Sequence, residues 1–142
     1  MRGFRDIDTW VFDLDNTLYP ASCRLFDQID VKMGEFVSKL LNVPYAEAKA
    51  LQKKLYYKHG TTLRGLMQEH GLKPEGFLDY VHNIDYLPIS TDTKLAEEIE
   101  KLPGRKLVFT AGTVTNATSA MDRLGVTHLF DDIFDIVHAD YV

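Results

Sequence analysis

The sequence holds 142 residues, 45% of them hydrophobic, with a net charge of −5 and a pI near 5.5. That length suits one ordinary domain with a real core, and the acidic balance excludes the basic footprint of a nucleic-acid binder. An anionic substrate would need local donors or a metal to hold it.

Taken in chain order, MRGFRDID at the start lacks a signal-peptide core, and no apolar run reaches the roughly 18 residues of a membrane span. The lone Cys23 cannot form an internal disulfide and suits a reducing compartment. A soluble, cytoplasmic protein is expected. The first element is a strand over 9–14, apolar on both faces, of the kind that parallel sheets bury between helices. From Arg24 to Leu41 the apolar residues recur at helical spacing. A second helix fits Tyr45 to Lys58, with Pro44 before it and Gly60 after. Shorter helices fit Leu63 to Glu69 and Pro74 to His82. Beyond this helical block the pattern alternates again: a helix over 93–102, a strand over 105–110, a helix from Asn116 to Leu124 and a strand over 132–137. The fold class is therefore α/β, with a parallel sheet and a helical cap inserted after the first strand. The core is assigned to 1–19 and 89–142, the cap to 20–88. Three strands are fewer than the usual five or six, so the chain reads as part of a longer protein.

Chemistry concentrates in DTWVFDLDNTLYP, residues 8 to 20, where an apolar strand drives into Asp13 and then Asp15. Two carboxylates at the carboxyl end of a parallel strand lie where open α/β sheets bind ligands. Their repulsion becomes useful if a divalent cation sits between them and a phosphate. One carboxylate could then attack phosphorus and the other move the proton. The plainer alternative is that both acids cap a turn and face solvent. LVFTAGT, 107 to 113, ends the second strand with Thr110 and a small glycine-containing loop before a helix, a phosphate cradle in form. Alone that loop is also an ordinary strand-to-helix turn.

Together, FDLDNTLY, a helical insertion and LVFTAGT resemble the haloacid dehalogenase superfamily, whose first motif is Asp-x-Asp-x-Thr and whose second is a strand ending in Ser or Thr. YYKHGTTLRGLM and LPGRKLVFTAGT look like its pyrimidine 5′-nucleotidase branch. The resemblance implies a Rossmann-like core and a magnesium-dependent phosphohydrolase. It makes Asp13 the nucleophile and a magnesium ligand, and Asp15 the general acid/base, which also gives magnesium its backbone carbonyl. It makes Thr110 a donor to the phosphoryl group. Thr17, which supports the turn, and Ala111 and Gly112 fall on the substrate side. Relatives that cleave carbon–halogen bonds lack the second acid, so Asp15 points to phosphate esters. Ala111 stands where relatives often carry Asn. The superfamily's third-motif lysine and fourth-motif acids would lie beyond HADYV.

His59, Thr61, Thr62 and Arg64 in the cap could read a nucleobase or ribose; equally, the segment is a glycine-terminated helix followed by a threonine cap. Tyr45, Tyr56 and Tyr57 fit cap packing. The expected partner is a small phosphorylated substrate, a pyrimidine nucleoside 5′-monophosphate first, with no nucleic acid polymer and no membrane. The rivals are a phosphatase for another small metabolite and a non-catalytic relative that only binds. With no later strand beside it, the first strand would be an edge, a route to instability or to self-association with a second copy.

Overall fold

The computed structural model describes Phe4 and residues 6 to 141. Its contacts divide the chain into two units: one runs to Cys23 and resumes over Tyr86–Ala139, the other is Arg24–Asp85 together with Asp140 and Tyr141. Among the described residues no helix is long and apolar enough to cross a membrane.

The first unit is α/β. Its strands β1 (Thr9–Asp13), β2 (Arg105–Phe109) and β3 (Asp132–Phe134) form a parallel sheet in that order. Helix α5 (Thr93–Glu100) precedes β2, and α6 (Val114–Leu124) joins β2 to β3. The β1–β2 register pairs Thr9 with Arg105 and Asp13 with Phe109. Gly104 sets this register. Its φ of +80° suits glycine, and a Cβ there would run into the Asp8 carbonyl oxygen, which accepts the Arg105 N–H at 2.8 Å.

The expectation of a sheet buried on both faces does not hold. Val11 is 64% exposed, and Phe109 and Phe134 stack on the same face at 5.6 Å while each stays nearly half open to solvent. Val108, on the opposite face, is fully buried. Topology explains the asymmetry. Both crossovers step the same way across the sheet, and right-handed connections then put both helices on one side. Among the described residues β1 is an edge strand, as expected with no later strand beside it.

Several boundaries shift by a residue or more, and three of the shifts have clear local causes. β1 stops at Asp13, because Asn16 adopts a left-handed φ of 58° and the Thr17 and Leu18 N–H groups turn back to the Leu14 carbonyl. Helix α6 starts at Val114, two residues before the expected Asn116, because Thr113 caps it by accepting the Asn116 N–H at 3.2 Å. β3 ends at Phe134 because Asp135 folds its carboxylate onto the Val137 and His138 N–H groups at 3.1 and 3.0 Å.

The second unit is helical: α1 (Leu25–Leu41), α2 (Tyr45–His59), α3 (Thr62–His70) and α4 (Pro74–Val81). Leu25, Val37, Leu55, Leu66, Phe77 and Val81 are buried in it. Gly34 lets α1 approach α2, since a Cβ would lie 2.7 Å from the Tyr45 ring. Tyr56 and Tyr57 do not pack as expected. The inward stripe of α2 is Ala48, Gln52 and Leu55, which leaves both tyrosines on the exposed side.

Replacing Gly104 with Ala is expected to destabilise the first unit by about 1–3 kcal/mol through forced strain and a disturbed Asp8–Arg105 bond. Urea unfolding measures this, and a change below about 0.5 kcal/mol, the range of an innocuous surface substitution, would contradict it.

Candidate active site

At the carboxyl ends of β1 and β2, two acids are tied to three hydroxyls. Asp13 ends β1, and its Oδ2 accepts the Thr17 hydroxyl at 2.7 Å. No described residue donates to its Oδ1. Asp15, two residues on, is half-buried, and both its oxygens are engaged. Oδ2 accepts the Thr110 hydroxyl at 3.0 Å, and Oδ1 accepts the Tyr19 hydroxyl at 2.6 Å. Each pairing has its origin in the chain. The one-turn reversal after Asp13 puts residues four apart on one side, which serves Asp13 with Thr17 and Asp15 with Tyr19. The parallel register puts Thr110, one residue past β2, beside the turn that leaves β1.

Thr110 is 2% exposed. Its hydroxyl oxygen also accepts the Gly112 N–H at 3.0 Å. Gly112 has no room for a side chain, because a Cβ would sit 2.5 Å from Asn116 Nδ2. Ala111, between them, points to solvent and is exposed. The loop is fixed from β3 as well. The Gly112 carbonyl accepts the Ile136 N–H at 3.1 Å, and the Asp135 carboxylate accepts the Val114 N–H at 2.9 Å.

Asp135 is 3% exposed. Burial pushes its carboxyl upward, but the His138 and Val114 N–H groups and the His138 imidazole, 2.7 Å away, outweigh burial and hold it below the usual carboxylate value. Tyr19 is buried at 3% exposure, and burial together with the Asp15 hydrogen bond raises its phenol well above the ordinary value, so it remains a donor. Tyr86 is pushed up to about 12 by burial and then by Asp15, and its hydroxyl donates to Asn116 Oδ1 at 2.5 Å.

Asp13, Asp15, Thr17, Thr110, Ala111 and Gly112 thus lie on two neighbouring segments of the α/β unit. The other sequence-flagged residues belong to the helical unit, where local partners account for their placement. Thr61 caps α3 by accepting the Arg64 N–H at 3.0 Å. Arg64 is exposed. His59 Nε2 lies 2.7 Å from Glu69, whose carboxyl Lys58 and then His59 hold down at about 2. Thr62 is buried and donates to the Gln52 carbonyl at 3.4 Å, beside a cavity of about 590 Å³ lined also by Phe26, Lys49 and Tyr56.

Sequence reasoning missed Tyr19, Asp135, Asn116 and Tyr86. Tyr19 had a usable signal, since it stands four residues after Asp15 in a segment already seen to turn. Asp135 had none, because its partner Val114 is 21 residues away.

No protein-family model matches the chain. It is 29% identical over 134 residues to phosphate metabolism protein 8 of Saccharomyces cerevisiae, across 86% of this chain and 41% of that protein. Among solved structures it is similar to L-2-haloacid dehalogenase from Xanthobacter autotrophicus, with 16% identity, a TM-score of 0.47, and coverage of 94% of this chain and 58% of that one. The HAD-hydrolase YfnB of Bacillus subtilis, solved bound to magnesium, gives 16% identity, a TM-score of 0.47, and coverage of 93% and 66%. The chain therefore spans less than half of its curated relative and about three-fifths to two-thirds of these solved chains.

The Asp135 latch has a pH signature. A carboxyl whose folded value is depressed adds stability above its unfolded value of 3.8, and that stability is lost as pH falls through the lower folded value. Asp135→Asn is expected to lower stability at neutral pH and to flatten its decline below about pH 4, near the free carboxyl value. Denaturant unfolding at several pH values tests this. Parallel pH profiles for the two proteins would show that the latch carries no such energy.

Proposed function

We propose that this chain carries the phosphoryl-transfer site of a haloacid dehalogenase-type phosphomonoester hydrolase, acting on pyrimidine nucleoside 5′-monophosphates. One observation carries the reading. Two carboxylates stand at the carboxyl end of one parallel strand, one with an oxygen to which no described residue donates and the other held by the hydroxyl of Thr110 beside the next strand. A purely turn-capping pair would accept backbone N–H groups, but Asp13 and Asp15 accept side-chain hydroxyls. The motif resemblance supports the same chemistry. The name of the yeast relative places that protein in phosphate metabolism. The nucleotide assignment rests on the resemblance of the YYKHGTTLRGLM segment.

Magnesium fits the donor set. Both acids offer hard oxygen ligands, and magnesium commonly takes one or two carboxylates, with water and substrate phosphate completing its shell. Among the described residues no group of three His, Cys, Asp or Glu side chains gathers to hold a metal. The ligands on this stretch would be the Asp13 carboxylate and the Asp15 main-chain carbonyl. When bound, the ion offsets the charge of the acids and the phosphate.

The chain's own residues then have separable tasks. Asp13, fixed at Oδ2 by Thr17, directs a carboxylate oxygen at phosphorus and forms an aspartyl phosphate as the ester bond breaks. Asp15 gives a proton to the departing oxygen, then takes one from the water that attacks phosphorus and releases Asp13. Thr110, held by the Gly112 N–H, has one hydroxyl proton, now given to Asp15, that a phosphoryl oxygen can compete for.

Asp13→Asn keeps the shape but removes the nucleophile and one charge. Phosphate release from a pyrimidine monophosphate with magnesium is expected to fall by about a thousandfold or more. Activity of the variant within tenfold of the unsubstituted protein would remove Asp13 from that role. Equal rates on nucleotides and sugar phosphates would defeat the nucleotide assignment alone.

A further inference from the structure

We propose that Tyr19 is a positioning residue for Asp15: its hydroxyl holds Oδ1 fixed, which reserves Oδ2, the oxygen shared with Thr110, for proton exchange. The inference rests on the phosphohydrolase reading for the meaning of that exchange, and on geometry for the hold itself.

The two bonds to Asp15 differ in kind. Tyr19 is buried, its rigid ring is anchored, and its hydroxyl donates to Oδ1 at 2.6 Å, a short hydrogen bond. A phenol has one proton to give, and this one has no other acceptor among the described residues. Thr110 is the more exchangeable partner. Its single hydroxyl proton is donated to Oδ2 at 3.0 Å, while its oxygen accepts the Gly112 N–H at 3.0 Å. An incoming phosphoryl oxygen would compete with Oδ2 for that one proton. If the phosphoryl group wins, Oδ2 is released while Oδ1 stays bound, and the carboxylate cannot swing away.

The proton balance follows. In the first step an Asp13 oxygen forms the bond to phosphorus, and the electron pair of the breaking ester bond goes to the leaving oxygen. That oxygen takes the proton from Asp15 Oδ2. In the second step water attacks phosphorus and gives a proton to Oδ2, and the pair of the Asp13–phosphorus bond returns to Asp13. Asp15 ends as it began. Tyr19 exchanges no proton in either step, so it touches neither substrate nor the reacting atoms.

The bland alternative is that Tyr19 is a core aromatic whose hydroxyl needs an acceptor. The two separate on the leaving group. Tyr19→Phe keeps the ring and removes the hydroxyl. Its rates are compared with those of the unsubstituted chain on a pyrimidine nucleoside 5′-monophosphate, whose alkoxide must be protonated as it leaves, and on p-nitrophenyl phosphate, whose phenolate departs without a proton. On the nucleotide kcat/KM, which reads the steps through leaving-group departure, is expected to fall by about tenfold or more, while kcat/KM on the aryl ester stays within about threefold, because the water step that both esters share lies outside it. An equal fall on both esters, or none on either, overturns the proposal.

Two further readouts keep it decidable. A crystal structure of Tyr19→Phe with inorganic phosphate bound against Thr110, which frees Oδ2, should show the Asp15 side chain in more than one rotamer. A single, unmoved rotamer overturns the hold even if the unsubstituted chain hydrolyses neither ester, a result that would itself sink the phosphohydrolase reading. If Tyr19→Phe does not fold, 3-fluorotyrosine at position 19 keeps the shape and strengthens the donor. It must change the ratio of rates on the two esters, and an unchanged ratio overturns the proposal.

Discussion

Two carboxylates two residues apart repel each other, and the structure around Asp13 and Asp15 manages that repulsion. Each acid is held by side-chain hydroxyls, Asp13 by Thr17 and Asp15 by Tyr19 and Thr110. Hydroxyls supply donors without cancelling the charge, so the segment remains attractive to a cation or an acidic proton. The same bonds join two strands, because Thr110 belongs to the end of β2 and Asp15 to the turn after β1. Parallel pairing without an offset makes that possible: Asp13 lies opposite Phe109, which leaves the next residues of both segments free to meet.

The demand propagates outward. Thr110 needs a fixed loop, and Gly112 lets that loop pass close to Asn116 at the start of α6. Asp135 closes the arrangement from β3 by accepting the N–H groups of Val137 and His138 just after it and that of Val114. Its burial is tolerable because four donors face it, the His138 imidazole among them. One carboxylate is thus structural and saturated, while Asp13 keeps an oxygen open. Burial and donor count distinguish acids that sequence alone would treat alike.

The sequence carried the α/β order, the helical block and the strand-end acids because each is written in local periodicity or in a short motif. The apolar run through Trp10 and Phe12 reads as a strand at any register, and the acids that follow mark its carboxyl end. What it did not carry was one-sidedness. Trp10-Val11-Phe12 is apolar throughout, so its pattern gives no sign that Val11 lies on an uncovered face. The direction of the crossovers decides that, and it belongs to topology. Tyr19 and Asp135 were missed for related reasons. A tyrosine in an apolar context reads as core, and an aspartate after a strand reads as a turn. Tyr19 takes its task from an acid four residues back, whereas Asp135 takes its own from Val114, 21 residues away. In the helical unit, Thr61 follows the capping logic of a helix start, while Thr62 donates to the Gln52 carbonyl of the preceding helix.

The central claim is that Asp13 is a nucleophile toward phosphorus, and chemical trapping addresses it without relying on turnover rates. The protein is mixed with magnesium and a nucleoside monophosphate, quenched, and treated with borohydride, which reduces an acyl phosphate to an alcohol. Peptide mass spectrometry then locates the product. The account predicts homoserine at position 13 and an unmodified aspartate at position 15. Modification at Asp15 alone, or phosphate release with no trapped product at either acid, would contradict it.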